Sequence, residues 1–534
     1  MVVIRFAAMG LHDNDGSVIS REEEPAALDA ALSEAERRFE RLRRTAGLFL
    51  GPILGLLVYI LPMGSLSSRA HVLAAVIAWV VVWWVTEPVP IPVTSLFGAT
   101  LCVVAGVADA KTVFAPFANP IIFLFLGSFI IARTMSVHGL DKRLAYSLLS
   151  RRFVGSSSGR ILFVFGAVCV VMSMWISNTA TTAMMYPLGL GVVGAMAGLM
   201  ARQSGRTVPV VRLRFTTGLM LMAAYASSTG GIGTPVGTPP NLIGLAMMDK
   251  FAGVRIPFFR WMLFAVPLLV IMYLFLYGVL RALHKPEVRS IRGSREFVLA
   301  ELDKLGPWTR GQKNCLIAFL AAVTLWIVPG FLALFLGASA PLSRIYNDRI
   351  PEAVAALLAV LLLFLLPVDW KKRMFTLTWR QAVQIDWGTL LLFGGGLTLG
   401  EMMFQTGLAE SLGRGLLGFF GTTSVWGLTL AGIYLSILVS ETTSNTAAAT
   451  MVVPILISIS QAAGLNPVPP AIGATIAASY AFMLPVSTPP NAIVYGSGLV
   501  PITKMLRAGS LLNLAGGMVI WGGLRILLPL VGLA

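Results

Sequence analysis

Residues 172–187 read MSMWISNTATTAMMYP, and residues 439–454 read VSETTSNTAAATMVVP. Each places the tetrad Ser-Asn-Thr-Ala, at 177–180 and again at 444–447, inside a long apolar stretch. An asparagine is costly to bury in hydrocarbon unless its hydrogen bonds are answered. The surrounding apolar regions, 161–200 and 422–460, are too long for one membrane span of roughly 20 residues. Each therefore reads as a re-entrant hairpin whose polar tip reaches the bilayer midplane. Non-helical backbone is tolerated at that depth only where protein or a wet cavity surrounds it.

The rest of the chain repeats the theme. Residues 119–144, NPIIFLFLGSFIIARTMSVHGLDKRL, resemble residues 386–412, DWGTLLLFGGGLTLGEMMFQTGLAESL, with Gly139-Leu140 matching Gly407-Leu408. Beyond each hairpin comes a broken apolar segment. GIGTPVGTPPNLIG (231–244) carries Thr238-Pro239-Pro240-Asn241, and MLPVSTPPNAIVYG (483–496) carries Thr488-Pro489-Pro490-Asn491. The order span, SNT hairpin, TPPN span occurs twice.

Composition sets the surroundings. The 534 residues are 56% hydrophobic and only 12% charged, about half the charged fraction of a soluble protein. Apolar segments near 46–63, 70–86, 91–108, 119–137, 161–200, 215–247, 259–283, 314–337, 352–368, 387–404, 422–460, 471–499 and 509–532 give an all-α polytopic membrane protein. About eleven transmembrane helices and two re-entrant hairpins are expected. Residues 1–44 form a cytoplasmic polar tail without the apolar stretch of a cleavable signal peptide. From Pro25 the tail reads as an anchor helix. The first repeat runs over 45–280, a cytoplasmic loop over 281–313, and the second repeat over 314–534.

The net charge of +16 reflects basic loops under the positive-inside rule, not a nucleic-acid partner. Lys142, Arg143, Arg151, Arg152, Arg160, Arg202, Arg206, Arg212 and Arg214 surround the first hairpin, whereas between Gly407 and Ala471 the only basic residue is Arg414. The first hairpin is expected to enter from the cytoplasm and the second from outside, an inverted repeat. The N-terminus is then cytoplasmic and the C-terminus outside, in the inner (plasma) membrane. Cys102, Cys169 and Cys315 are isolated, and His12, His71, His138 and His284 match no metal motif.

Two consecutive prolines cannot continue a helix. At TPPN they free carbonyls before the break and begin a half-helix after it. Carbonyl, Ser, Thr and Asn oxygens suit a small hard cation such as Na⁺, and half-helix N-termini suit an anionic group. Two symmetric cation sites with one anion between them follow. The motifs contain no Lys, Arg or His, so a dianion at the midplane needs co-bound cations, which argues for cation coupling. The plainer alternative, that SNT merely packs helices, does not account for two copies each paired with TPPN. Glu441 replaces Met174 of the first repeat and reads first as a structural carboxylate, second as a coupling group. An ion channel would need a repeated filter loop or charge ring, and an enzyme a nucleophile–base or metal constellation. Neither pattern is present in the sequence.

Paired SNT tetrads with paired TPPN breaks resemble the divalent anion/sodium symporter family, over nearly everything after the tail. The resemblance implies a homodimer with a moving transport domain, an elevator, and no organic cofactor. It implies Na⁺-coupled import of dicarboxylates such as succinate, malate and fumarate, or of citrate or sulfate, though some members are exchangers. It implies a first sodium site of Ser173, Ser177, Asn178 and the Gly237 carbonyl, and a second of Ser440, Ser444, Asn445 and the Ser487 carbonyl. The substrate would lie against Asn178, Thr179, Thr238, Asn445, Thr446 and Thr488, with Pro239 and Pro489 walling the cleft.

Overall fold

The computed structural model describes residues 34–533 apart from 65, 205–208, 292, 338 and 421–423. Most of the polar tail, together with Arg206 and Ala534, lies outside the described residues. Among the described residues the chain is helical except for a small antiparallel ribbon, Pro367–Asp369 with Met374–Phe375. Nine described helices are long and apolar enough to cross a membrane, and four shorter apolar ones accompany them.

The first half runs α1 (Glu34–Ile60), α2 (Ser68–Thr86), α3 (Ile91–Val104), α4 (Pro120–Val137) and α5 (Leu140–Leu149). The hairpin arms follow, α6 (Ser158–Ser173) and α7 (Asn178–Ser204), then α8 (Arg214–Gly230), the half-helix α9 (Pro239–Ala252) and α10 (Phe258–Leu283). The linking segment contains a helix the sequence reading did not anticipate, α11 (Ser294–Lys304). The second half has α12 (Arg310–Leu336), α13 (Glu352–Leu365), α14 (Trp387–Thr406) and α15 (Leu408–Phe420). Its hairpin arms are α16 (Val425–Thr442) and α17 (Asn445–Ala462), followed by α18 (Val468–Ala477), the half-helix α19 (Pro489–Gly496) and α20 (Ile502–Leu530).

Local chemistry places the matched turns. Gly139 and Gly407, at φ +66° and +81°, separate α4 from α5 and α14 from α15. A left-handed residue between two helices favours glycine, which has no Cβ to clash. Thr238 and Thr488 are the N-caps of the two half-helices, at φ −149°, ψ 143° and φ −145°, ψ 147°. Prolines occupy the first two positions of both half-helices, where their missing N–H groups cost no helical bond.

Packing exchanges the halves. The half-helix α9 packs against α17 and α18 of the second half, and α19 packs against α7 and α8 of the first. Helices α10 and α20, which close the two repeats, pack on each other. Helices α8 and α17 lie in the interior. The apolar window of α17 is 72% buried against 17% for α1, and every residue of α8 from Phe215 to Gly230 is buried. On the linking segment, Arg143 Nη2 donates to the carbonyls of Leu305 and Gly306 at 2.9 and 2.8 Å, tying the chain just past α11 to α5.

Candidate functional site

Each SNT tetrad lies where its hairpin turns. In the first, α6 ends at Ser173 and α7 begins at Asn178; in the second, α16 ends at Thr442 and α17 begins at Asn445. The serine of the tetrad caps the second arm in both. Ser177 Oγ accepts the Ala180 N–H and Ser444 Oγ accepts the Ala447 N–H, both at 3.2 Å. These hydroxyls thereby answer one of the N–H groups a helix start leaves unpaired. A capping oxygen retains a second lone pair and its own proton.

The asparagine is held from the first arm. Ser173 Oγ donates to Asn178 Oδ1 at 2.7 Å. The counterpart Ser440 Oγ lies 2.8 Å from Asn445 Oδ1 and 2.6 Å from the Ala478 carbonyl, and its single proton serves only one of them at a time. Both serines are fully buried. The two tips thus share one arrangement: an amide oxygen at a helix N-terminus, paired with a buried hydroxyl from the opposite arm.

The broken spans bring backbone to these oxygens. Residues 231–238 fold against the first tip. A Cβ placed on Gly231 would stand 2.6 Å from Asn178 Oδ1, 3.0 Å from Thr238 Cβ and 3.1 Å from the Gly237 carbonyl oxygen. One on Gly237 would stand 2.4 Å from the Gly231 carbonyl oxygen and 2.9 Å from that of Met174. Glycine at each position leaves room for a pair of oxygens, Asn178 Oδ1 with the Gly237 carbonyl and the Gly231 carbonyl with that of Met174, to approach where a methyl group would stand. If this cluster is the cation site that the resemblance implies, Gly231→Ala is expected to raise the half-saturating Na⁺ concentration for uptake at least tenfold, read by titrating Na⁺ at fixed substrate. An unchanged Na⁺ dependence would show that the close approach has no part in cation binding.

In the second repeat the corresponding tie runs through Glu441. Its carboxylate accepts from Met483 N at 2.8 Å, Leu484 N at 3.3 Å, Ser487 Oγ at 2.7 Å and Asn513 Nδ2 at 2.5 Å. In the first repeat the bond runs in the same direction but to the backbone, since Thr234 Oγ1 on the broken segment donates to the Met174 carbonyl on the hairpin at 2.5 Å. Both devices fasten the break to its hairpin. Four donors satisfy a buried carboxylate as water would. Glu441→Ala would strand the Met483, Leu484 and Asn513 donors, at about 1–3 kcal/mol for each buried group left unsatisfied, while Ser487 Oγ keeps the residue 441 carbonyl. It is expected to lower the detergent unfolding midpoint by several degrees in a melting experiment.

Of the remaining positions singled out in the sequence, Thr238, Thr488 and Ser487 are buried, Thr179, Thr446 and Pro239 half-buried, and Pro489 exposed. All lie on the tips or at the starts of the half-helices. Because α19 runs beside α7 and α9 beside α17, each TPPN element lies beside the other repeat's SNT helix. The TPPN asparagines, to which the sequence reading gave no role, are fully buried. Asn241 Nδ2 donates to the carbonyls of Gly231 at 2.9 Å and Thr234 at 2.8 Å. Asn491 Nδ2 donates to those of Ala481 at 2.9 Å and Leu484 at 3.0 Å. The only signal of this in the sequence is that the residue after Pro-Pro is the same in both copies.

Hairpin tips, broken spans and two matched oxygen clusters inside a helical membrane protein define a secondary transporter, not an enzyme. A sequence model described as the sodium:sulfate symporter transmembrane region matches residues 43–527. The chain belongs to the divalent anion/sodium symporter family. It is 35% identical over 491 residues to a sodium-dependent dicarboxylate transporter, SdcS, of Staphylococcus saprophyticus, covering 91% of this chain and 92% of that one. It is 32% identical over 489 residues to SdcS of Staphylococcus aureus strain USA300, covering 91% of each. Among solved structures, the YdaH transporter of Alcanivorax borkumensis aligns with a TM-score of 0.47 at 15% identity, covering 78% of this chain and 85% of that one. The family assignment does not rest on that looser likeness.

Proposed function

We propose that the protein couples Na⁺ to the import of C4-dicarboxylates such as succinate, malate and fumarate. The observation that carries this reading is the duplicated cluster. Asn178 Oδ1 with Ser173 Oγ, and Asn445 Oδ1 with Ser440 Oγ, stand at helix N-termini beside a broken span. The kinship to SdcS supplies the cation and the substrate class. In this reading Ser173, Ser177, Asn178 and the Gly237 carbonyl bind one Na⁺. Ser440, Ser444, Asn445 and the Ser487 carbonyl bind the other. When a cation meets Asn445 Oδ1, the Ser440 hydroxyl can turn its proton to the Ala478 carbonyl and offer its oxygen. The substrate carboxylates then lie against Asn178, Thr179, Thr238, Asn445, Thr446 and Thr488, with Pro239 and Pro489 as walls. The positive ends of α7 and α17 and the two cations neutralise them. The chain needs no organic cofactor for this.

The moving unit is the pair of hairpins with their half-helices, carried past a scaffold as an elevator in a homodimer. Opposite entry of the two hairpins is supported by the charge of their flanks, since nine basic residues flank the first and one the second. A reporter fused after Ala534 is therefore expected to work outside the cytoplasm and one at Met1 inside it. A cytoplasmic C-terminus would break the inverted arrangement. The function is tested by uptake of labelled succinate, citrate and sulfate into proteoliposomes. Succinate accumulation that requires an inward Na⁺ gradient is expected. Uptake that ignores Na⁺ but requires dicarboxylate inside the vesicle would replace symport by exchange.

A further inference from the structure

We propose that Asn241 and Asn491 are positioning residues that set the affinity of the two cation sites, by holding the broken spans in the shape that presents their oxygens. The inference rests on the sodium reading above.

The two side chains act alike. Each sits third in its half-helix, fully buried, and reaches backwards across the break. Each donates both amide hydrogens to the carbonyls ten and seven residues earlier: Gly231 and Thr234 for Asn241, Ala481 and Leu484 for Asn491. Such bonds lie outside any helical register, so they fold the break itself. In both residues the remaining oxygen, Oδ1, is buried without a partner. That fixes the orientation of the amide, because turning it over would place Oδ1 against two carbonyl oxygens. It also explains the residue type. A serine or threonine has one proton and cannot hold two carbonyls, while an aspartate has none. Leaving an amide oxygen unanswered in the interior is unfavourable, and the same unfavourable feature stands in both repeats at the same step of the break.

The segments so held carry the cation ligands. Gly231, whose carbonyl Asn241 holds, is the residue whose Cβ would meet Asn178 Oδ1 and the Gly237 carbonyl oxygen. Leu484, whose carbonyl Asn491 holds, gives its N–H to Glu441, and Glu441 holds Ser487. Each asparagine is two hydrogen bonds from a residue assigned to a cation site, since the Thr234 carbonyl also accepts the Gly237 N–H and the Leu484 carbonyl the Ser487 N–H, and it touches neither cation nor substrate.

The test is Na⁺ titration of succinate uptake by full-length protein in proteoliposomes, with Asn241→Ser, Asn491→Ser, Asn241→Asp and Asn491→Asp. Loosening either clasp is expected to raise the half-saturating Na⁺ concentration about tenfold or more, the equivalent of one net hydrogen bond. The maximal rate at saturating Na⁺ should fall less than the affinity does. Both serine and aspartate variants should shift in this direction. Where a variant transports too slowly to titrate, Na⁺-dependent thermal stabilisation in detergent, without substrate, reads the same affinity. A fall in maximal rate or protein yield with unchanged Na⁺ affinity would make the clasp purely structural and overturn the proposal. So would an aspartate variant that binds Na⁺ more tightly, since Oδ1 would then be acting as a direct ligand. Wild-type protein indifferent to Na⁺ in both assays would instead remove the sodium reading on which the proposal stands.

Discussion

Alanine at Asn178 or at Asn445 is expected to abolish uptake, by more than about a hundredfold, while the protein still inserts and purifies as the wild type does. Each amide oxygen is paired to a buried serine of the opposite arm, at 2.7 and 2.8 Å, and each amide sits on the first residue of a helix. Under the proposed function, removing it takes away one cation ligand and one donor to the substrate together. Hydrogen bonds to charged groups contribute about 1.5–3 kcal/mol each, so losing two in one substitution exceeds the hundredfold mark. The fold has less at stake, because Ser177 and Ser444 still cap α7 and α17. Uptake by either variant within tenfold of wild type, at matched protein in the vesicle, would remove the SNT tetrads from the site. Asparagine-to-aspartate variants make a useful comparison, since they keep an oxygen for the cation, lose the amide donor and add a negative charge that opposes the dianion.

The features that proved legible in the sequence are local ones. Pro-Pro after threonine marks where each half-helix begins, and Thr238 and Thr488 take nearly the same backbone angles. Glycine at 139 and 407 marks the turn after α4 and after α14. Contacts across many residues were not legible. The four partners of Glu441 lie 42 to 72 residues further along the chain, so sequence could supply its preferred structural role but none of the groups that satisfy it. The clasps of Asn241 and Asn491 reach back ten and seven residues, a spacing that belongs to no periodic element and leaves no pattern to count. The exchange of half-helices depends on how distant segments pack, which the motif order alone does not specify. Helix α11, SREFVLAELDK, is short and charged, and within a basic loop its amphipathic spacing reads as solvated connection.

Cation and substrate affinities are expected to be linked. The motifs bring no lysine, arginine or histidine to the dianion. The one carboxylate among them, Glu441, carries the same sign as the substrate, and its own donors are Met483, Leu484, Ser487 and Asn513. Two carboxylates arriving without Na⁺ would find only helix N-termini and neutral hydroxyls and amides. That compensates poorly in a site removed from bulk water. In the proposed arrangement, Na⁺ at Asn178 and Asn445 supplies the missing charge, so each ligand should tighten the other, and thermodynamic linkage makes the effect reciprocal. Couplings of this kind are typically about 1–3 kcal/mol, or five- to 150-fold in affinity. In detergent, succinate is expected to raise the unfolding midpoint in Na⁺ and to leave it nearly unchanged in choline or K⁺. Raising succinate should likewise lower the Na⁺ concentration needed for half-maximal stabilisation. Ser173→Ala and Ser440→Ala each remove one hydroxyl from a cation cluster while leaving the amide and the helix cap in place. They should therefore weaken the Na⁺ dependence more than they weaken the fold. Equal stabilisation by succinate in choline and in Na⁺ would show that the dianion is neutralised without the cation, and exchange of one dicarboxylate for another would become the reading to pursue.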